Sequence, residues 1–181
     1  MMNLEALNLA EQKLLSQVGS VTGLMEEKSL QLEQNGTFAE YGKIYEAYVD
    51  LIESETEGLE ALKRSLFLLW YEQAEPSCFT GVSGLSKTAS QKVFSSLERR
   101  IETGALDLEL QWMLPFYNGI TEWVFEPRAN LPNLHRFLAT VNREIWLQEL
   151  KGENFLERGQ MGYYWTSVSQ SNPVRFHTNA S

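Results

Sequence analysis

The sequence predicts an all-α, single-domain bundle of about five or six helices with an irregular C-terminal arm. Three observations carry this expectation. Apolar side chains recur at steps of three and four, and in the longest run Tyr41, Tyr45, Tyr48, Ile52, Leu59, Leu62, Leu66 and Leu69 form a helical seam interrupted at Glu55. Helix start and stop signals punctuate the periodic segments. The chain of 181 residues, 43% hydrophobic and 22% charged, suits one domain that buries roughly two-thirds of its unfolded surface.

The first periodic segment, about Leu4 to Leu32, places Leu4, Leu7, Leu14, Val18, Val21 and Met25 near one face, weakened by Gly19 and Gly23. Asn35-Gly36 is a left-handed stop, and Thr37 with Glu40 has the pattern of a capping box that starts the next helix. That second helix can run to about Glu72, roughly 50 Å at ~1.5 Å per residue. Ser54 and Glu57 form a second capping-box pattern followed by Gly58, so the segment is either one bent helix or two.

Glu75 to Ser86 is rich in turn formers and reads as an ordered loop. Helix resumes near Thr88, with Val93, Phe94, Leu97 and Ile101 on one face and Gly104 as the stop. Asp107 caps a segment reaching about Phe125. This segment is apolar on several sides and is expected to be central, with Pro115 kinking it or lying in its first turns. The last strong helix starts near Leu131-Pro132 and buries Leu134, Phe137, Leu138, Val141 and Ile145. Beyond Leu150, Gly152, Gly159 and Gly162 separate short apolar clusters. The expectation is a helical domain over residues 1–165 that ends in an irregular arm, then a polar C-terminal tail over 166–181.

Charge narrows the function classes. The formal net charge is −9 and the pI near 4.8, which lacks the basic footprint needed for nucleic acid or anionic lipid and favours a basic or neutral protein partner. No window approaches the ~20 apolar residues of a membrane span. Met1 to Leu9 hold no basic segment leading into an apolar core, so a cytoplasmic protein is expected. Cys78 is the only cysteine, which excludes an intramolecular disulfide and a multi-cysteine metal site.

The acidity is local: Thr37 to Glu75 holds nine acids and three bases, a net of −6, whereas Pro76 to Gly104 nets +2 from four bases and two acids. Glu46, Asp50, Glu53, Glu57 and Glu60 repeat opposite the apolar seam with no Lys or Arg between them. As a ridge they would steer a basic partner; as an ordinary solvated helix face they would need no partner. The seam from Tyr41 to Leu69 is also of a kind that pairs across a two-fold axis, which adds a homodimer to the expectations.

Catalytic constellations are missing from the pattern. The two histidines, His135 and His177, are not in Glu-x-x-His or paired-histidine spacing, so no metal site and no cofactor is expected. Cys78 with His135 as base is a nucleophile arrangement on paper, but a cysteine between Ser77 and Phe79 also reads as a small buried apolar residue, and no catalytic residue is assigned. An alternative site is a pocket lined by Trp70, Tyr71, Trp112, Tyr117 and Trp123, with Glu72, Glu75 and Thr80 at its mouth and the 75–86 loop beside it.

Trp70-Tyr71, Glu75-Pro76-Ser77, Thr80-Gly81 and the run from Trp112 to Tyr117 lie within residues 66–126, a stretch that resembles uncharacterised all-helical bacterial proteins of no assigned activity. The resemblance implies a helical fold and a bacterial source, and it carries over no functional residue. In size, acidity and helical character the chain is also similar to immunity or inhibitor proteins of bacterial toxin systems. The expected function is therefore a non-catalytic protein–protein interaction module, immunity-like, inhibitor-like or regulatory, with a small-molecule binder or enzyme using the aromatic pocket as the alternative.

Overall fold

The computed structural model describes residues 2–125, 131–140 and 155–171, and among them every regular element is helical. In chain order these are α1 (Leu4–Ser20), α2 (Met25–Gln34), α3 (Thr37–Leu51), α4 (Gly58–Ala74), a single turn α5 (Ser77–Thr80), α6 (Lys87–Glu102), α7 (Leu108–Ile120), a 3-10 turn (Glu122–Val124), α8 (Pro132–Thr140) and α9 (Gly159–Ser171). No described helix is long and apolar enough to cross a membrane. Val141 and Ile145 fall outside the described residues.

The first periodic segment is two helices. The chain leaves α1 in extended backbone at Val21, and Leu24 donates its N–H to the Glu27 carboxylate at 2.9 Å to open α2. Asn35-Gly36 does stop α2. The next helix, however, is entered through Gly36 in the left-handed region, with Thr37 already inside it as a fully buried residue. Glu40 pairs with Lys43 at 2.6 Å and closes no capping box.

The seam from Tyr41 to Leu69 divides between α3 and α4. Tight bonds from Ile52 N to Val49 O and from Ser54 N to Leu51 O end α3, and Ser54 Oγ then accepts from Glu57 N at 3.3 Å. Gly58 is required there, because a Cβ would stand 2.3 Å from the Ile52 carbonyl oxygen. The apolar residues keep their burial on both sides of the break, with Tyr41, Tyr45, Tyr48, Leu62 and Leu66 fully enclosed. Removing one such side chain from water contributes about 1.5–3 kcal/mol.

Ser86 caps α6 through Ala89 N, and Asp107 caps α7 by accepting from Leu110 N at 2.9 Å. Pro115 lies well inside α7 and not in its first turns, so the helix lacks one ladder donor in its interior. α7 is buried nearly all round through Leu110, Trp112, Met113, Leu114 and Tyr117, as its many-sided apolar pattern requires. It ends at Ile120, and Trp123 in the following 3-10 turn is exposed.

The largest departure from the sequence reading is at the end of the described chain. In place of an irregular arm, α9 runs straight across the expected boundary at residue 165, and Met161 and Trp165 are buried in the core. Gly162 therefore does not interrupt the helix, whereas Gly159, in left-handed backbone, marks its start. Gly162 lets the Phe155 carbonyl approach, since a Cβ would lie 2.1 Å from its oxygen. Residues 172–181 of the expected tail fall outside the described residues.

Candidate functional site

The helix break separates the five carboxylates of the expected ridge into two groups. On α3, Glu46 and Asp50 are exposed, and Glu53 follows in the turn. Glu53 receives both bonds of an exposed Arg99 Nη2, at 2.8 and 3.0 Å. Among the described residues Glu46 and Asp50 enter no ion pair. Between α3 and α6 lies a shallow groove of about 480 Å³, bordered by Asp50 and Glu53 on one wall, Lys92 and Arg99 on the other, and Val49 and Ile52 at its base.

The remaining two carboxylates serve the interior. Glu57 Oε1 accepts from Leu4 N at 2.9 Å, which satisfies a first-turn donor of α1. Glu60 joins a half-buried ionic network where α1, α4, α7 and α9 meet. Arg158 bonds Glu60 through Nε at 2.8 Å and Nη2 at 2.6 Å, and Glu109 through Nη2 at 2.9 Å and through Nη1. Arg64 Nε donates to Glu60 at 2.8 Å and its Nη2 donates to the Glu157 carbonyl at 3.0 Å. Lys63 binds Glu109 and lies 2.6 Å from Asp107. Burial alone would lower the Arg158 value, yet hydrogen bonds to Glu109 and Glu60 and their charges hold it above the usual arginine range. Burial pushes Glu109 up, and the bonds and charge of Arg158 and then Lys63 more than offset this, so its carboxyl sits below the usual range.

A second polar centre adjoins this network. The buried carboxylate of Glu11 on α1 accepts the Tyr48 hydroxyl and the Gln160 backbone N–H, the latter at 2.8 Å. Asn8 Oδ1, one turn earlier, accepts from Gly159 N at 2.9 Å. Together they cap the first turn of α9 with side chains from α1. Burial raises the Glu11 carboxyl above its usual range, opposed by the bonds from Tyr48 and Gln160 and by the Arg64 charge. Burial likewise raises the Tyr48 hydroxyl, helped by the Glu11 charge.

Neither centre was assigned from the sequence. A signal existed for Glu11 and Asn8: both fall among Leu4, Leu7 and Leu14 at core spacing, where a polar residue needs a partner. Chemically, each of the guanidiniums of Arg64 and Arg158 already makes four hydrogen bonds to carboxylate, carbonyl or hydroxyl oxygens, so these groups tie helices together and offer little to an incoming anion.

Four aromatic residues of the alternative pocket, Trp70, Tyr71, Trp112 and Tyr117, pack against other rings, whereas Trp123 is exposed. Trp70 stacks on Tyr117 with centroids 4.5 Å apart, and Trp112 meets Trp165 edge-on at 4.6 Å. Tyr71 is half-buried against Trp70, Phe67 and Tyr164, and burial followed by the Glu75 charge pushes its hydroxyl up to about 12. Thr80 is buried, with its carbonyl taken by Gln160 Nε2 at 2.9 Å. Cys78 is buried as well. The 75–86 segment is thus packed against the bundle, one turn of it helical. A wider groove of about 1090 Å³ lies between α4 and α6, lined by residues that include Leu69, Glu72, Leu85, Phe94 and Trp123; of the expected pocket residues Glu72 and Trp123 border it, and Trp70, Tyr71, Glu75, Thr80, Trp112 and Tyr117 do not.

Compared with known proteins, the chain matches no family model, and no curated protein or solved structure matches it.

Proposed function

We propose that this chain is a non-catalytic protein–protein interaction module of the cytoplasm, immunity-like, inhibitor-like or regulatory, that binds a basic partner through the outer face of α3. The observation that carries the reading is the pair of exposed carboxylates Glu46 and Asp50, free of ion pairs among the described residues, beside the α3–α6 groove edged by Glu53. Like-charged groups held one turn apart in solvent raise the local negative potential and the on-rate of a cationic surface. Glu57 and Glu60 turn to interior partners, so the proposal rests on Glu46 and Asp50, with Glu53, paired to exposed Arg99, at the edge of the same face.

The test compares the native chain with the triple variant Glu46→Gln, Asp50→Asn, Glu53→Gln, and with a control of equal charge change elsewhere, Glu26→Gln, Glu33→Gln, Glu102→Gln. A basic protein held by the native chain and the control at low salt, and lost from the α3 variant at unchanged melting temperature, supports the reading. Equal retention by all three removes it. A small-molecule binder is the second reading, favoured by the α4–α6 groove beside exposed Trp123. It predicts a change in Trp123 fluorescence on ligand addition that Trp123→Phe abolishes.

A further inference from the structure

Three buried residues that each carry a side-chain atom with no protein hydrogen-bond partner, Thr37 (Oγ1), Tyr41 (OH) and Gln160 (Oε1), border one short turn of the bundle. Thr37 and Tyr41 are fully buried and Gln160 is 4% exposed. The turn is Thr80-Gly81. A Cβ on Gly81 would lie 2.9 Å from Tyr41 Cε2, the ring carbon next to the hydroxyl-bearing one, and 3.2 Å from Thr37 Cγ2. The amide of Gln160 reaches the same turn by donating Nε2 to the Thr80 carbonyl at 2.9 Å. The Gln160 backbone N–H in turn bonds Glu11 Oε2, and the Glu11 charge acts on the Tyr41 hydroxyl, adding to burial in raising it far above its ordinary value.

These groups complement each other without touching. Tyr41 and Thr37 carry hydroxyls that both donate and accept, whereas Gln160 Oε1 and the Glu11 carboxylate only accept. Leaving the Tyr41, Thr37 and Gln160 atoms without partners in the interior is the unfavourable arrangement, and buried polar atoms of folded proteins that lack protein partners are ordinarily met by ordered water. A bridging molecule must be small, must accept from a hydroxyl and must donate twice to acceptors. Water meets all three requirements, and a phenylalanine at position 41 would have been the simpler filling if nothing polar were to be bound.

We infer that the interior between α1, α3, α5 and α9 binds an ordered water molecule, held by the Tyr41 hydroxyl, Gln160 Oε1 and the Glu11 carboxylate, with Thr37 Oγ1 beside it. The water extends the Glu11–Tyr48 pair into a polar thread that links the first and last described helices through the Thr80-Gly81 turn.

Tyr41→Phe gives a test in which the sign decides. An unbridged hydroxyl is a desolvated group whose removal is neutral or stabilising; a hydroxyl that bonds water takes a partner from that water when removed. The expected result is a melting temperature lowered by about 2–4 °C. An unchanged or raised melting temperature overturns the inference. Because Gln160 also serves Thr80, the substitution is repeated in a Gln160→Met background. A shared water makes the Tyr41→Phe effect shrink there by half or more, and an additive effect shows that the two groups do not share one. Water-to-protein nuclear Overhauser effects on the native protein supply the direct readout: a long-lived water signal at the Gln160 side-chain amide is expected, and its absence overturns the site.

Discussion

The guanidinium of Arg158 grips the carboxylate of Glu60, 98 residues earlier in the chain, with two parallel bonds from Nε and Nη2 at 2.8 and 2.6 Å. The same guanidinium holds Glu109, so one side chain ties α4 and α7 to the turn that starts α9. Such geometry is strong for a bidentate pair, but its contribution is felt mainly when one member is removed.

Arg158→Met should therefore destabilise the protein by about 3 kcal/mol, because Glu60 and Glu109 are left half-buried with only Arg64 and Lys63 to neutralise them. Urea unfolding at neutral pH measures it. A loss below about 1 kcal/mol, the level of an exposed pair, would mean that water replaces the arginine freely.

Glu109 and Glu11 should give pH dependences of opposite sign. Glu109 sits below the ordinary 4.5, so its stabilising effect is complete above that pH and is lost as pH falls through its lower folded value. Glu11 sits above 4.5, so its contribution is complete below that pH and is lost as pH rises through its raised folded value. Stability of the native chain relative to Glu11→Gln should decline as pH is raised from 4.5, and relative to Glu109→Gln it should decline as pH is lowered from 4.5. Two flat difference profiles from a urea series would refute the assignment.

Gly159→Ala should cost about 3 kcal/mol, whereas Gly84→Ala should cost about 1 kcal/mol. Both residues have positive φ, +57° and +72°. A Cβ at Gly159 would stand 2.2 Å from Glu11 Oε1 and force the carboxylate away from Tyr48 and Gln160, while nothing lies within 4 Å at Gly84. Equal melting temperatures for the two variants would show that the Glu11 position is soft.

The thiol of Cys78 should react with a disulfide reagent only when the bundle opens. It is 3% exposed in the single turn α5. Its labelling rate under native conditions should track added urea in step with the loss of helical signal. Labelling that is fast at zero denaturant would place α5 in a segment that opens separately.

Local signals were the legible part of the sequence. Asp107, Gly104 and the Asn35-Gly36 stop mark real helix ends because a cap depends on residues within one turn. The seam was legible too, since Tyr41 through Leu69 keep their inward phase across the break. The carboxylates opposite it did not keep theirs: extrapolating one helix across Ser54 aligned Glu57 and Glu60 with Glu46, whereas the turn sends them toward Leu4 and Arg158. Apart from Arg64–Glu60, the charge pairs of the ionic network join residues 44 to 98 positions apart, and the capping of α9 by Glu11 spans 149, distances over which periodicity carries no information. Gly162 was misleading for a physical reason: a glycine that breaks a helix and one that admits a neighbouring carbonyl look alike in sequence.

The capping of α9 by α1 also orders events during synthesis. Asn8 and Glu11 leave the ribosome long before Gly159 and Gln160, the backbone groups that they receive. Until then Glu11 lacks one of its interior partners and the core lacks Trp165, so a partly made chain exposes apolar surface of the kind that aggregates. The polar junction and the burial of Trp165 are completed by the same late segment of the chain.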